Sequence, residues 1–266
     1  MPPRSSTTRI RRLERARRLI AGAIHLPRMA AVPALRGQRD HTTLLSAATY
    51  SPWRTDVEFR RVYGEVGSAT LLDEMRLYEL WRLAGQVGHL EGDAIEVGCW
   101  RGGAGCMIAT RIAAHAPDAR TFLCDTFSGV VKAGAHDPTY VGGEHADASA
   151  AGVEALARRL GLDSVRVLTG IFPEETGPAV EDRRFRFAHI DLDVYQGSRD
   201  AFTWLVPRLV VGAVVVFDDY SFALTGGVRA FVDELEGHED FVVVHNLNGH
   251  AVVVRRKDSG AGAVAR

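Results

Sequence analysis

Asp191, Asp218 and Asp219 are the residues of this chain best placed to do chemistry. Phe185-Arg-Phe-Ala-His-Ile190 is an alternating, strand-like run that ends in Asp191-Leu-Asp193. Val210 to Phe217 is a nearly unbroken apolar run that ends in Asp218-Asp219. A strand buried on both faces reads as a continuous apolar run, so the second is expected to be a central strand of a parallel sheet. Parallel strands point their carboxyl ends the same way, and open α/β sheets bind ligands at that edge. The three acids are therefore expected to converge on one point. Clustered carboxylates repel one another unless a cation sits between them. An all-oxygen donor set favours a hard cation such as Mg²⁺ over zinc or copper. The competing reading is that each acid caps the helix after its strand.

A second group of residues has the chemistry of a nucleoside site. Ala94-Ile-Glu-Val97 reads as a first strand, and Glu96-Val-Gly98-Cys-Trp-Arg-Gly102-Gly103 follows as a glycine-rich turn. Such a turn lets the backbone approach a bound molecule closely at the mouth of a helix. It is not the dinucleotide fingerprint, because the glycines stand at 98, 102 and 103. Asp125 ends the next strand, where an acid accepts hydrogen bonds from ribose hydroxyls. Gly98 alone would read as an ordinary turn glycine. The turn, the acid and the carboxylate edge together point to a bound adenosine.

The elements that must position these groups alternate along the middle of the chain. Leu71 to Val87 carries Leu72, Met75, Leu80, Leu83 and Val87 at helical spacing. Gly103 to Ala114 and Ala150 to Leu160 read as helices, and Arg120 to Asp125 and Val165 to Leu168 as strands. Residues 126–148, rich in Gly, His and Asp, form a long segment expected to be a lid or substrate loop. Phe241 to His245 and His250 to Arg255 are strands joined by Asn246-Leu-Asn-Gly249, whose Asn-Gly is a hairpin signal. The series predicts a doubly wound α/β sheet, mostly parallel, closing in an antiparallel hairpin, with helices on both faces.

Composition sets the frame. At 266 residues the chain suits one core with additions. The division expected is a 1–69 N-terminal arm and helical extension, a 70–257 catalytic domain and a 258–266 disordered tail. Residues 1–40 hold ten arginines against Glu14 and Asp40, and residues 1–49 hold no aromatic side chain. Nucleic-acid binding wants aromatics interleaved with the charge. The segment reads first as a helical arm or flexible tail, then as an oligomer contact, with a targeting peptide the remaining alternative, and a homo-oligomer is expected. No apolar run reaches membrane-spanning length. Cys99, Cys106 and Cys124 lack zinc spacing and read as reduced, packed thiols of a cytoplasmic protein.

Four pieces carry a family resemblance: Glu96-Val-Gly-Cys-Trp-Arg-Gly-Gly103, Asp125-Thr-Phe-Ser-Gly129, His189-Ile-Asp-Leu-Asp-Val-Tyr195 and Phe217-Asp-Asp-Tyr220. Together they resemble the macrocin O-methyltransferase family, from about Thr70 to Val254. The resemblance implies a class I methyltransferase sheet and methylation of a sugar hydroxyl on a natural product, using S-adenosylmethionine and Mg²⁺. It implies metal ligation by Asp191, Asp218 and Asp219 and a general-base role for Asp193. It places Glu96, Gly98 and Asp125 around the cofactor. Trp100, Arg101, Gly102 and Gly103 of the same turn, and Phe127 beside the second motif, are further cofactor-binding candidates, with core filling the competing reading for Trp100 and Phe127. In the related catechol-type enzymes a lysine stands three positions after the first metal Asp; here that position is Val194.

The acceptor is expected to be a sugar-containing small molecule, either a glycoside or a nucleotide-linked deoxysugar. Glu144 and His145 in the long loop, with Tyr195 and Tyr220 just past the acidic clusters, are candidates to touch it. His136 and Asp147 in the same loop are candidates as well. His189, inside a strand, reads as a core histidine. A metal-dependent glycosyltransferase would use Asp191-Leu-Asp193 as its Asp-x-Asp motif, but leaves Glu96–Gly103 and Asp218-Asp219 without a role. A nicotinamide oxidoreductase would want the tighter glycine fingerprint, and a non-catalytic scaffold would not need four intact acids.

Overall fold

The computed structural model describes His41 and residues 48–257. The Arg-rich segment and the expected C-terminal tail lie outside the described residues. The chain divides into two units, Met1–Thr49 and Tyr50–Arg266, and the fold that follows is that of the second.

Seven strands form one sheet: β1 (Asp93–Val97), β2 (Thr121–Asp125), β3 (Val165–Thr169), β4 (Phe185–Ile190), β5 (Leu209–Phe217), β6 (Phe241–His245) and β7 (Ala251–Arg255). Their order is β3-β2-β1-β4-β5-β7-β6. The first five run parallel, and β7 is antiparallel to both β5 and β6. The chain winds outward from β1 to β3, then returns to β4 on the other side of β1. The carboxyl ends of β1 and β4 therefore flank the switch point, where open α/β sheets form their ligand crevice. Gly98 follows β1 there with φ of 89°, and a Cβ on it would lie 1.8 Å from the carbonyl oxygen of Asp191. Only glycine fits so close an approach.

Six helices cover the two faces: α1 (Val57–Val66), α2 (Glu74–Gln86), α3 (Gly103–His115), α4 (Ala150–Arg159), α5 (Tyr195–Leu205) and α6 (Gly226–Asp233). Alternate strand residues feed two cores. Phe187, Val214 and Val216 face α1 to α4, through Phe59, Leu80, Met107 and Ile112. Ile95, Val215 and Phe217 face α5 and α6, through Phe202, Leu205 and Phe231. A fully buried side chain of this size contributes about 1.5–3 kcal/mol.

Helices α5 and α6 escape the sequence reading, and α1 falls inside the expected helical extension without its bounds being marked. In α1 only Phe59, Val62 and Val66 are buried, in a segment that is otherwise charged or broken by Gly64. The Tyr195 and Gly226 starts of α5 and α6 carry no capping side chain to mark them. The helix read from Leu71 begins only at Glu74, because Asp73 Oδ1 accepts from the backbone N–H groups of Met75 and Arg76 and caps it. Met75, read as a core position, is consequently 50% exposed. Strand β4, read as alternating, is buried throughout. Arg186 is accommodated there because its guanidinium donates to the carbonyls of Gly92 and Gly88.

Residues 126–148 form neither helix nor strand among the described residues. The three cysteines are buried and unpaired. No helix among the described residues is long and apolar enough to cross a membrane.

Candidate active site

A cavity of about 290 Å³ opens at the carboxyl edge of β1, β4 and β5. Its wall includes Asp191, Asp193, Asp218 and Asp219 on one side and Glu96, Gly98, Trp100 and Asp125 on the other. One carboxylate oxygen from each of Asp191, Asp218 and Asp219 lies within 4.8 Å of the other two. The acids come together because β4 and β5 are parallel neighbours in register from Phe187↔Val214 to Ile190↔Phe217, so their tips emerge side by side.

The three are electrostatically unequal. Burial raises Asp191 and Asp219 well above the carboxylate range, and the charge of Asp218 raises each further. Burial acts on Asp218 in the same sense, but His250 and Arg76 outweigh it and hold that carboxyl low. Arg76 Nη1 donates to both oxygens of Asp218, at 2.7 and 2.8 Å, while its Nε donates to Asp73. His250 Nε2 lies 3.2 Å from Asp218, and its Nδ1 lies 2.6 Å from Glu79. Those two carboxylates raise His250 against the opposing effect of burial. Asp191 and Asp219 have no ion pair among the described residues. Two half-buried, mutually repelling carboxylates beside a third suit a hard divalent cation, and the donor set is all oxygen. The fit is good at Asp191 and Asp219; at Asp218 a cation would share the carboxylate with Arg76.

Asp193 stands at the cavity wall with a left-handed backbone, φ 64°. Its Oδ1 accepts a hydrogen bond from the Tyr140 hydroxyl at 2.7 Å. Val194, at the position where catechol-type enzymes place a lysine, is fully buried. Lys132 does reach the wall, but its ammonium sits between Glu174 at 2.6 Å and Asp200 at 2.7 Å, so its proton is held by two carboxylates.

On the opposite side, Asp125 ties two loops together. Its Oδ2 accepts from the backbone N–H of Trp100 and its Oδ1 from that of Phe127, both at 2.7 Å. Each oxygen retains a second lone pair for a ligand hydroxyl. Glu96 is 1% exposed, raised by burial, and its Oε1 lies 2.8 Å from His189 Nδ1. His189 is thus a buried partner of Glu96, in keeping with its reading as a core histidine.

Arg101, Gly102, Gly103 and Phe127, read as cofactor-binding, are not among the residues that line this cavity. Arg101 turns outward and pairs with Asp147 at 2.5 Å, the residue that also accepts from the Trp100 indole. Gly102 and Gly103 serve packing: a Cβ on Gly102 would lie 2.6 Å from Val153, and one on Gly103 2.6 Å from the Ala69 carbonyl. Phe127 packs against the core formed with α1 to α4.

Of the acceptor candidates, His145 lines the cavity. Glu144 instead closes its own turn by accepting from the N–H groups of Val141 and Gly142. The hydroxyls of Tyr195 and Tyr220 donate to Glu234 and Asp233, away from the wall. His136 stacks on Tyr195 with ring centroids 4.3 Å apart. Sequence reasoning missed Arg76, His250 and Tyr140. Arg76 hid among the surface-like charges of an amphipathic helix, and His250 behind a hairpin signal. Tyr140 stood in a polar loop with no motif around it and gave no signal.

The model of the family described as Macrocin-O-methyltransferase (TylF) matches residues 60–255. The chain is 34% identical over 140 residues to the 8-demethyl-8-(2,3-dimethoxy-alpha-L-rhamnosyl)-tetracenomycin-C 4'-O-methyltransferase of Streptomyces olivaceus, covering 49% of this chain and 53% of that protein. It is 33% identical over 142 residues to the mycinamicin III 3''-O-methyltransferase of Micromonospora griseorubida, covering 48% and 55% respectively. The matched region thus spans about half the length of these curated relatives. Among solved structures, the O-methyltransferase NovP aligns with a TM-score of 0.61 at 23% identity, over 71% of this chain and 83% of that one. That likeness shows the fold, the class I methyltransferase sheet.

Proposed function

The chain belongs to the macrocin O-methyltransferase family, and from that premise we propose that it moves a methyl group from S-adenosylmethionine to a sugar hydroxyl of a glycosylated natural product or nucleotide-linked deoxysugar. The observation that carries this reading is the meeting of Asp191, Asp218 and Asp219 in the same cavity as Asp193, Glu96 and Asp125. The names of two relatives, a rhamnosyl-tetracenomycin 4'-O-methyltransferase and a mycinamicin III 3''-O-methyltransferase, support the acceptor class.

A sugar hydroxyl is almost entirely protonated at neutral pH and is a poor nucleophile. Asp191, Asp218 and Asp219 would hold a Mg²⁺, which, when bound, stabilises the negative charge developing on the acceptor oxygen. Asp193 takes the hydroxyl proton as general base, within hydrogen-bond reach of the oxygen. Asp125 receives the ribose hydroxyls, and Gly98 lets the cofactor approach the backbone. The acceptor oxygen then forms its bond to the methyl carbon as the carbon–sulfur bond breaks, leaving S-adenosylhomocysteine. Orientation across the cavity supplies most of the help the protein gives that step. The protein is read as a cytoplasmic homo-oligomer with neither nucleic acid nor membrane as partner.

Rhamnosyl glycosides and nucleotide-linked deoxysugars incubated with S-adenosylmethionine and analysed by intact mass test this reading. Gain of one methyl on a member of either group supports it. Calorimetry separates the rival chemistries, since S-adenosylhomocysteine should bind tightly while NAD and a nucleotide-sugar donor should not.

A further inference from the structure

We propose that Tyr140 is the positioning residue of Asp193, fixing one carboxylate oxygen so that the other faces the acceptor hydroxyl. The proposal rests on the reading of Asp193 as the base. Its observation is the 2.7 Å hydrogen bond from the Tyr140 hydroxyl to Asp193 Oδ1. A carboxylate only accepts, so the phenol must be the donor. Burial, and then the neighbouring charge of Asp193, push the ionisation of Tyr140 upward, so it keeps the proton it donates.

The loop around Tyr140 is held independently of that bond. Asp137, 2% exposed, accepts from the backbone N–H of Tyr195 at 3.0 Å and of Gly134 at 3.1 Å. Its Oδ1 fills the space beside Gly227, where a Cβ would come within 1.8 Å. That wedges the loop between the N-termini of α5 and α6. Thr139 Oγ1 donates to the Leu224 carbonyl at 2.5 Å, and the Tyr140 N–H donates to the Asp137 carbonyl at 3.1 Å. Tyr140 belongs to neither hydrophobic core. Its hydroxyl is therefore not needed to anchor the loop, and the one described partner it has is the carboxylate of Asp193.

Asp193 needs such a constraint. It sits in a left-handed conformation between the tip of β4 and the start of α5, with the carboxyl of Asp219 beside it. A carboxylate free to rotate about its last bond spreads its oxygens over many directions. A donor at one oxygen selects the rotamer in which the second is presented to the cavity, and pre-orientation of this kind acts on turnover.

The test uses the full-length protein in two measurements. The chain has six tyrosines, so 3-fluorotyrosine labelling gives a resolvable fluorine spectrum in which Tyr140→Phe identifies one resonance. That resonance should move when Asp193 becomes Asn; an unmoved resonance overturns the contact. With a rhamnosyl glycoside that accepts a methyl group, Tyr140→Phe should lower kcat about ten- to a hundredfold, as for one lost charge-assisted hydrogen bond. The KM for S-adenosylmethionine and the melting temperature should not change. In a double-mutant cycle, Tyr140→Phe should add no further loss on an Asp193→Asn background. Wild-type kcat in Tyr140→Phe, or full additivity with Asp193→Asn, overturns the proposal alone. Wild-type kcat in Asp193→Asn removes the base assignment and the proposal with it.

Discussion

Arg76 and Asp218 stand 142 positions apart in sequence and form a buried ion pair in which one guanidinium nitrogen donates to both carboxylate oxygens. The pair fastens helix α2 to the tip of β5 at the floor of the cavity. It also gives Asp218 an internal counter-charge that Asp191 and Asp219 lack, so the carboxylate cluster is neutralised on one side only.

Arg76→Met should therefore destabilise the protein. Removing one partner of a buried pair costs about 3–5 kcal/mol, because the remaining charge is left desolvated. His250, which still faces Asp218, should keep the loss near the lower end. Thermal or urea unfolding checks this, and a variant as stable as the wild type would show that the pair contributes nothing to the fold.

Asp125→Ala should weaken S-adenosylhomocysteine binding about ten- to a hundredfold, since a charge-assisted hydrogen bond of roughly 1.5–3 kcal/mol is lost. The backbone N–H groups of Trp100 and Phe127 lose their acceptor in the same variant. Asp125→Asn, which keeps an acceptor oxygen, should retain more affinity than Asp125→Ala. Equal calorimetric affinities for wild type and Asp125→Ala would contradict the assignment.

The glycines of the turn should separate by role. Gly98→Ala drives a Cβ into the Asp191 carbonyl from a left-handed backbone, and should cost both stability and ligand binding. Gly103→Ala meets the backbone carbonyls of Ala69 and Val66, away from the cavity, and should lower the melting temperature with little effect on S-adenosylhomocysteine affinity once folded. Loss of affinity in folded Gly103→Ala without loss of stability would reverse that division.

The three thiols should be silent in the native state. Burial pushes Cys106 up to about 12 and raises Cys99 and Cys124 as well, so almost no thiolate is present at neutral pH. Ellman titration should report no fast-reacting thiol until denaturant is added and three thereafter. A fast native thiol would place one cysteine at the surface.

What could be read from the sequence was the backbone of the site. The apolar run from Val210 to Phe217 and the Asp tips of β4 and β5 announce parallel strands ending in acids, because strand period and burial are local properties. The Asn-Gly hairpin and Gly98 are equally local. Arg76–Asp218, Glu79–His250 and Tyr140–Asp193 join elements that only the fold brings together, so no spacing announces them. The hydroxyls of Tyr195 and Tyr220 turn to Glu234 and Asp233 for the same reason: closeness in sequence to an acid says nothing of the direction in which the ring points. The bounds of helix α1, inside the expected helical extension, were hidden by its charged faces; its buried side is set by Phe59 and Val62 packing against α2 and α3.

The measurement that tests the account most directly is methyl transfer to a rhamnosyl glycoside, followed by intact mass with and without a chelator. Wild-type protein should methylate the acceptor once, lose the activity in EDTA and regain it with Mg²⁺. Asp191→Asn and Asp219→Asn, which each withdraw a charge from the cluster, should need more Mg²⁺ for the same rate. Full-rate methylation by EDTA-treated, metal-free protein would contradict the role given to the three carboxylates at the sheet edge.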